Sequence, residues 1–218
     1  LSIISHVFNK AVETNIGDVY VAAEDQKIVD DVHLNGGKAI LTKNNHKTGT
    51  DRIYEALKKI GKSNVELIMN IQGDEPLINI EDVKNLHHQM IKSNSELGTL
   101  AAKIQNKDIF DKQNIVKVVT GKSLDTSQFP EAINFYRHPN NLIENTYHHL
   151  GIYCYRLKTL EKFVSLEQSQ NEIKNSLEQL RALDNNIKIN VALAKTSSIG
   201  VDTKEDFVAI KKIMEYKT

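Results

Sequence analysis

A hydrophobic strand that ends abruptly in an amide, a glycine and two carboxylates is the strongest chemical signal in this chain: Val65–Ile71 (VELIMNI) runs straight into Gln72-Gly73-Asp74-Glu75-Pro76. In open α/β sheets ligands bind at the carboxyl ends of strands, which would set Asp74 in a crevice. Hard oxygen donors of this kind suit magnesium, which takes one or two protein carboxylates and completes its shell with phosphates and water. A turn capped by Asp and Glu is the competing explanation of the same residues. A second acidic position, Asp202 in Gly200-Val201-Asp202-Thr203, falls between the last strand and the last helix. Alone it reads as a helix N-cap; beside Asp74 it becomes a second metal carboxylate supplied from another strand end.

Three further segments could bind a substrate. His46-Lys47-Thr48-Gly49-Thr50-Asp51-Arg52 is a polar loop entering a helix. Its exposed N–H groups suit an anion or a nucleobase edge, and Arg52 offers a planar fork. In His148–Arg156 (HHLGIYCYR) the strand alternation puts His149, Gly151, Tyr153 and Tyr155 on one face and Leu150, Ile152 and Cys154 on the other. Ser176–Arg181 (SLEQLR) reads as part of an amphipathic helix, with Leu177 and Leu180 inward and Glu178 and Arg181 sharing another face. By itself that second face is a solvated surface.

The elements that must position these residues follow from periodicity. Apolar positions Ile3 to Val12 predict an opening amphipathic helix. Strands at Asp18–Ala23, Lys38–Thr42 and Val65–Ile71 alternate with helices at Asp25–Asn35, Thr50–Ile60 and about Ile80–Lys92. Such alternation is the signature of parallel crossover units. Strand-like runs follow at Leu97–Ile104, Ile115–Thr120, Ala132–Tyr136 and His149–Arg156. Helices at Leu157–Leu166 and Asn171–Asp184, a strand at Ile187–Ala194 and a helix at Thr203–Tyr216 complete the chain. The expected fold is a doubly wound, Rossmann-like, mostly parallel α/β sheet in one domain spanning 1–218. A wound sheet ordinarily starts on a strand whose following turn cradles phosphate. Here the first predicted element is a helix, and no glycine-rich phosphate loop occurs.

Composition narrows the functional classes. Lys plus Arg and Asp plus Glu number 28 each, with no basic run, which argues against nucleic acid as a partner. No apolar stretch approaches the roughly 20 residues of a membrane span. The lone Cys154 sits in an apolar run, so it reads as a buried hydrophobe in a protein of the reducing cytoplasm.

Taken together and in order, HKTGTDR (46–52), NIQGDEPLI (70–78), NIVKVV (114–119), HHLGIYCYR (148–156), SLEQLR (176–181) and GVDTKED (200–206) resemble the 3-deoxy-manno-octulosonate cytidylyltransferases, or CMP-Kdo synthetases. The resemblance runs essentially end to end. It implies transfer of CMP from CTP to the anomeric hydroxyl of the acidic sugar Kdo, with release of pyrophosphate, in lipopolysaccharide biosynthesis. It also implies Mg2+ as cofactor, a small antiparallel insertion at about 125–156 on the sugar side, and a homodimer formed through that insertion's strands around 132–155. Carried over by position, Asp74 and Asp202 are the catalytic metal carboxylates. Gly49, Thr50 and Arg52 fall on the nucleotide side; Gln72, His149, Tyr153, Glu178, Gln179 and Arg181 fall on the sugar side. Three departures stand out. The family's opening strand and Arg- and Lys-bearing triphosphate loop have no counterpart in these 218 residues, and residue 1 falls near that loop's end. Phe135-Tyr136-Arg137-His138-Pro139 replaces a Phe-Ser-Arg segment, and Asn175 a usual glutamate. A related acidic or amino sugar, or a binding module without turnover, are the alternatives.

Overall fold

The computed structural model describes every residue except 63, 105–109, 111, 113, 138–142, 198–199, 202–203 and 216–218, and for 214 and 215 the backbone alone. It opens on helix α1 (Ile3–Glu13), followed by β1 (Val21–Ala23), α2 (Gln26–Leu34), β2 (Ala39–Leu41), α3 (Gly49–Ile60), β3 (Leu67–Asn70), α4 (Ile80–Ser93) and β4 (Leu97–Ala102). Then come β5 (Lys117–Thr120), β6 (Ala132–Tyr136), β7 (Thr146–Arg156), α5 (Leu157–Ser165), α6 (Gln170–Asn175), α7 (Gln179–Asp184), β8 (Ile189–Leu193) and α8 (Lys204–Glu215).

β1 and β2 form a parallel pair. The main sheet is built around the long β7, which pairs antiparallel with β4 along one edge and with β3 and then β5 along the other. β8 joins β4 in parallel and β6 joins β5 antiparallel. Four of the six strands, β3, β4, β5 and β8, therefore point the same way, and β5, β6 and the start of β7 form an antiparallel set. Helices cover both faces. Leu57 of α3, Leu160 and Phe163 of α5 and Leu180 of α7 pack with Tyr147, Tyr153 and Tyr155 of β7. Val83, Leu86 and Met90 of α4 pack with Leu150, Ile152 and Cys154 on the reverse. That separation is the alternation expected of β7. Burying a side chain such as Leu86 or Met90, both 0% exposed, contributes roughly 1.5–3 kcal/mol.

Two local features shape the site. In β7, Tyr153 pairs with Thr99 and Leu150 with Leu100, so Gly151 and Ile152 are extra to the ladder. Two additional residues keep the faces in phase while bending the strand, as bulges beside sites do. Gly98 lies across that ladder, where an added Cβ would come within 2.8–2.9 Å of Met90, Leu86 and Phe129. A larger residue there would require those three side-chain ends to shift.

The predicted helix Asn171–Asp184 is two helices. Ser176 takes a left-handed φ of 51°, and the Leu177 N–H donates back to the Glu172 carbonyl at 3.2 Å. On one continuous helix Glu172 and Arg181, nine residues apart, would face about 180° away from each other at 3.6 residues per turn. The break turns them together. Arg181 Nε and Nη2 donate to the two Glu172 oxygens at 2.8 and 2.6 Å, and the guanidinium stacks 4.6 Å above Phe163.

Candidate active site

A cavity of about 410 Å³ opens beyond the carboxyl end of β3, within the roughly 300–1,000 Å³ of small-ligand sites. Gln72 and Asp74 enter it from the turn after β3. His149, Gly151 and Tyr153 form the β7 wall, and Glu178 and Gln179 close it from the start of α7. Six residues singled out by sequence, Gln72, Asp74, His149, Tyr153, Glu178 and Gln179, are thus brought together from three separate elements. The Cβ position of Gly49, at the N-terminus of α3, lies 3.8 Å from Gln72 Nε2, so the loop that enters α3 adjoins this wall.

Asp74 is exposed, and its carbonyl accepts the Val201 N–H at 2.9 Å. The Cβ position of Gly200 is 3.5 Å from Asp74 Oδ2. The β8–α8 connection is therefore held against the β3 turn. Asp202 lies outside the described residues. Among the described residues no group of three or more His, Cys, Asp or Glu side chains is arranged to hold a metal.

His149 is buried and neutral, its pKa driven down to about 3 by burial and then by neighbouring His148. Its tautomer follows from Thr99. The Thr99 hydroxyl lies 2.8 Å from the Ile152 carbonyl and 3.3 Å from that of Leu150, groups that can only accept. Its one proton is thereby used, so His149 Nε2, 3.0 Å away, is the N–H donor and Nδ1 the acceptor nitrogen. His148 is lowered to about 4 by burial and then by Lys117, and its Nδ1 lies 2.7 Å from the Ser197 hydroxyl. Burial pushes the Glu178 carboxyl up, against the Thr50 and Thr48 hydroxyls and Arg181, which favour its charge. Glu178 Oε1 is buried without a hydrogen-bond partner. Cys154 is buried, and burial pushes its thiol up to about 12, which suits a core residue and not a nucleophile.

The histidines set an acid limit. As pH falls through about 6.5 the unfolded chain takes up protons that folded His148 and His149 refuse until about 4 and 3. The unfolded state binds more protons throughout that window, so stability falls with pH, by about 1–2 kcal/mol per histidine at pH 5. Urea midpoints at pH 7 and pH 5 measure this. The drop is expected to be smaller in His149→Gln, and an equal drop would show that the buried imidazole is not its source.

Three residues assigned to the site stand apart from the cavity wall. Thr50 is fully buried under Tyr155, with 3.4 Å between the hydroxyls. Arg52 donates to the Thr42 hydroxyl at 2.9 Å and the Lys43 carbonyl at 3.2 Å and pairs with Glu24, which ties α3 to the ends of β1 and β2. Arg181 is 1% exposed. The helix face that it was expected to share with solvent is core, because its charge is matched by Glu172 and, at 3.7 Å, by Asp51.

Arg137 and Asn114 line the cavity; in the sequence they fall in the segments 135–139 and NIVKVV (114–119), without a site role. Arg137 is the one cation of the described lining, since both histidines are neutral. Its signal was an isolated arginine between an aromatic strand and a proline, legible only once β6 is seen to end at the cavity.

A wound sheet that converges carboxylate, amide, imidazole and phenol groups at a strand end beside a helix N-terminus belongs to a wider class. Residues 1–189 match the family model described as cytidylyltransferase. The 3-deoxy-manno-octulosonate cytidylyltransferase of Thermodesulfovibrio yellowstonii is 41% identical over 97% of this chain and 88% of its own length. The enzyme of that name from Paramagnetospirillum magneticum is 34% identical over 97% and 87%. A solved CMP:2-keto-3-deoxy-manno-octonic acid synthetase complexed with CTP matches with a TM-score of 0.86 at 31% identity, covering 99% of this chain and 88% of that one. The chain belongs to the 3-deoxy-manno-octulosonate cytidylyltransferase family. A UDP-glucose pyrophosphorylase, with a TM-score of 0.71 at 12% identity over 99% of this chain and 87% of that one, shares the fold. No described helix is long and apolar enough to cross a membrane.

Proposed function

We propose that this chain transfers CMP from CTP to the anomeric hydroxyl of 3-deoxy-D-manno-octulosonate. The observation that carries the reading is the meeting of Gln72, Asp74, His149, Tyr153, Glu178 and Gln179 in one cavity, in a chain 41% identical to a cytidylyltransferase named for that sugar. The anomeric oxygen bonds to the α-phosphorus, its proton passing through solvent to the leaving group, while the bond from that phosphorus to the oxygen bridging the α- and β-phosphates breaks and pyrophosphate leaves with that electron pair. Positioning and charge neutralisation carry most of such a transfer. His149, neutral and fixed as an Nε2–H tautomer, is a hydrogen-bond partner and not a base at pH 7. Gln72 and Gln179 offer amide donors and acceptors to a polyol, and Glu178 Oε1 offers an acceptor with no competing donor. The α3 N-terminus, with Gly49 exposed at its first turn, supports a cytidine-side role for Gly49, while Thr50 and Arg52 hold that helix start in place behind it.

Magnesium fits the donor set: Asp74 is an exposed hard-oxygen ligand, held against the segment that leads to Asp202. Those two carboxylates would hold it, and bound there it would neutralise charge on the reacting phosphate. Residues 1–218 act as one catalytic domain in this reading, with 125–156 as its insertion. The edge strand β6, with Ile133 62% exposed, supports a homodimer, and CTP as substrate supports a cytoplasmic setting.

The test is pyrophosphate release from CTP and Mg2+ with Kdo, an amino analogue of Kdo and a neutral hexose. Release with Kdo and none with the hexose is expected. Release with the hexose alone would sink the reading, and protection by CTP against heat without release would identify a binding module.

A further inference from the structure

Behind the cavity wall lies a lysine with no solvent exposure, Lys117 on β5. A buried ammonium is costly unless its donors are matched. Lys117 Nζ donates to the carbonyls of Lys112 at 2.7 Å, Ile115 at 2.9 Å and Arg137 at 3.0 Å. Two of these belong to the segment entering β5, and the third is the residue that follows β6. Arg137 continues the stitching: its guanidinium donates to the carbonyls of Asn114 at 3.3 Å, Asn175 at 3.4 Å and Ser176 at 3.2 Å. Two cations therefore draw three loops together, and Asn114, Arg137 and Ser176 from those loops all line the cavity. Carbonyl dipoles orient the Arg137 fork without neutralising it. Its bonds, all 3.2 Å or longer, are weak beside the 2.7–2.9 Å of charge-assisted contacts to an anion.

We propose that Lys117 is a positioning residue for the acidic substrate: by holding the Arg137 carbonyl it aims the Arg137 guanidinium at the substrate carboxylate. The proposal rests on the acidic-sugar reading above. Lys117 acts through Arg137 and does not itself touch the sugar.

The test uses the full chain with Lys117→Gln, Arg137→Gln and the double variant. In Lys117→Gln the KM for Kdo is expected to rise about tenfold or more, while the KM for CTP stays within about twofold and kcat at saturating Kdo within about threefold. The methyl ester of Kdo, which lacks the charge, should show no such rise. Because the lysine works through Arg137, the double variant should bind Kdo no more weakly than Arg137→Gln alone. A merely structural lysine would lower the melting temperature and affect both substrates alike. Unchanged Kdo binding in folded Lys117→Gln, or equal losses for Kdo and CTP, overturns the proposal. If Lys117→Gln does not fold, Arg137→Gln decides, and normal Kdo binding there also overturns it. Wild-type protein that takes no Kdo would remove the functional reading and this inference together, whereas wild type that takes Kdo beside an unaffected variant removes this inference alone.

Discussion

Glu172→Gln is expected to destabilise the fold by about 3–5 kcal/mol, the range for breaking a buried ion pair from one side. The side chains of Arg181 and Glu172 are 2% and 4% exposed. The pair is bidentate, and the carboxylate also accepts the Ser169 N–H at 3.1 Å in a capping box. Burial works against the Glu172 charge, yet Arg181, Gln168 and Ser169 outweigh it and hold the carboxyl below its ordinary range. A carboxylate lowered in this way stabilises the fold above about pH 4.5, a contribution lost as pH falls through its folded value. In the amide variant the guanidinium is left with Asp51 at 3.7 Å and the Phe163 ring. Urea unfolding measures the loss. Adding Arg181→Met to the variant should recover part of it, because no buried charge is then left unpaired. A single variant within about 1 kcal/mol of wild type would mean that Asp51 suffices. The turn held by this pair carries Glu178 and Gln179, so sugar binding should weaken alongside stability.

The second large effect falls on turnover. Asp74→Asn is expected to lower kcat by about a thousandfold, since metal-borne charge stabilisation supplies several kcal/mol. The fold should change little, because the side chain is exposed and the Val201 N–H bonds to the Asp74 backbone carbonyl, which any residue keeps. Pyrophosphate release gives the activity, and Mn2+ titration in the presence of CTP gives the metal affinity. Near-normal turnover together with normal Mn2+ affinity would remove Asp74 from the role assigned to it.

Much of this was legible in the chain. Period-2 and period-3.6 patterns placed β6 at Ala132–Tyr136 and most other elements within a few residues, because one apolar face per element suffices to set its type. Of the six cavity residues, Asp74 was legible from its place at a strand end, and Gln72, His149, Tyr153, Glu178 and Gln179 from the motifs that carry the family resemblance. Arg181 was misplaced because its three-residue spacing from Glu178 fits a surface pair as well as a core one. Burial depends on Glu172, which a continuous helix would point the other way.

What the sequence alone determined is the type and order of the elements, the strand-end carboxylate Asp74 and the family motifs, all of which are local. The tertiary structure decided which polar groups share a cavity, which histidine nitrogen carries the proton, and that Lys117 and Arg137 are stitched through backbone carbonyls. Those facts depend on contacts between segments distant in the chain. Residue 117 meets 137 only because β5 pairs with β6, and His149 is neutral because the core encloses it, with Thr99 across the sheet fixing its tautomer.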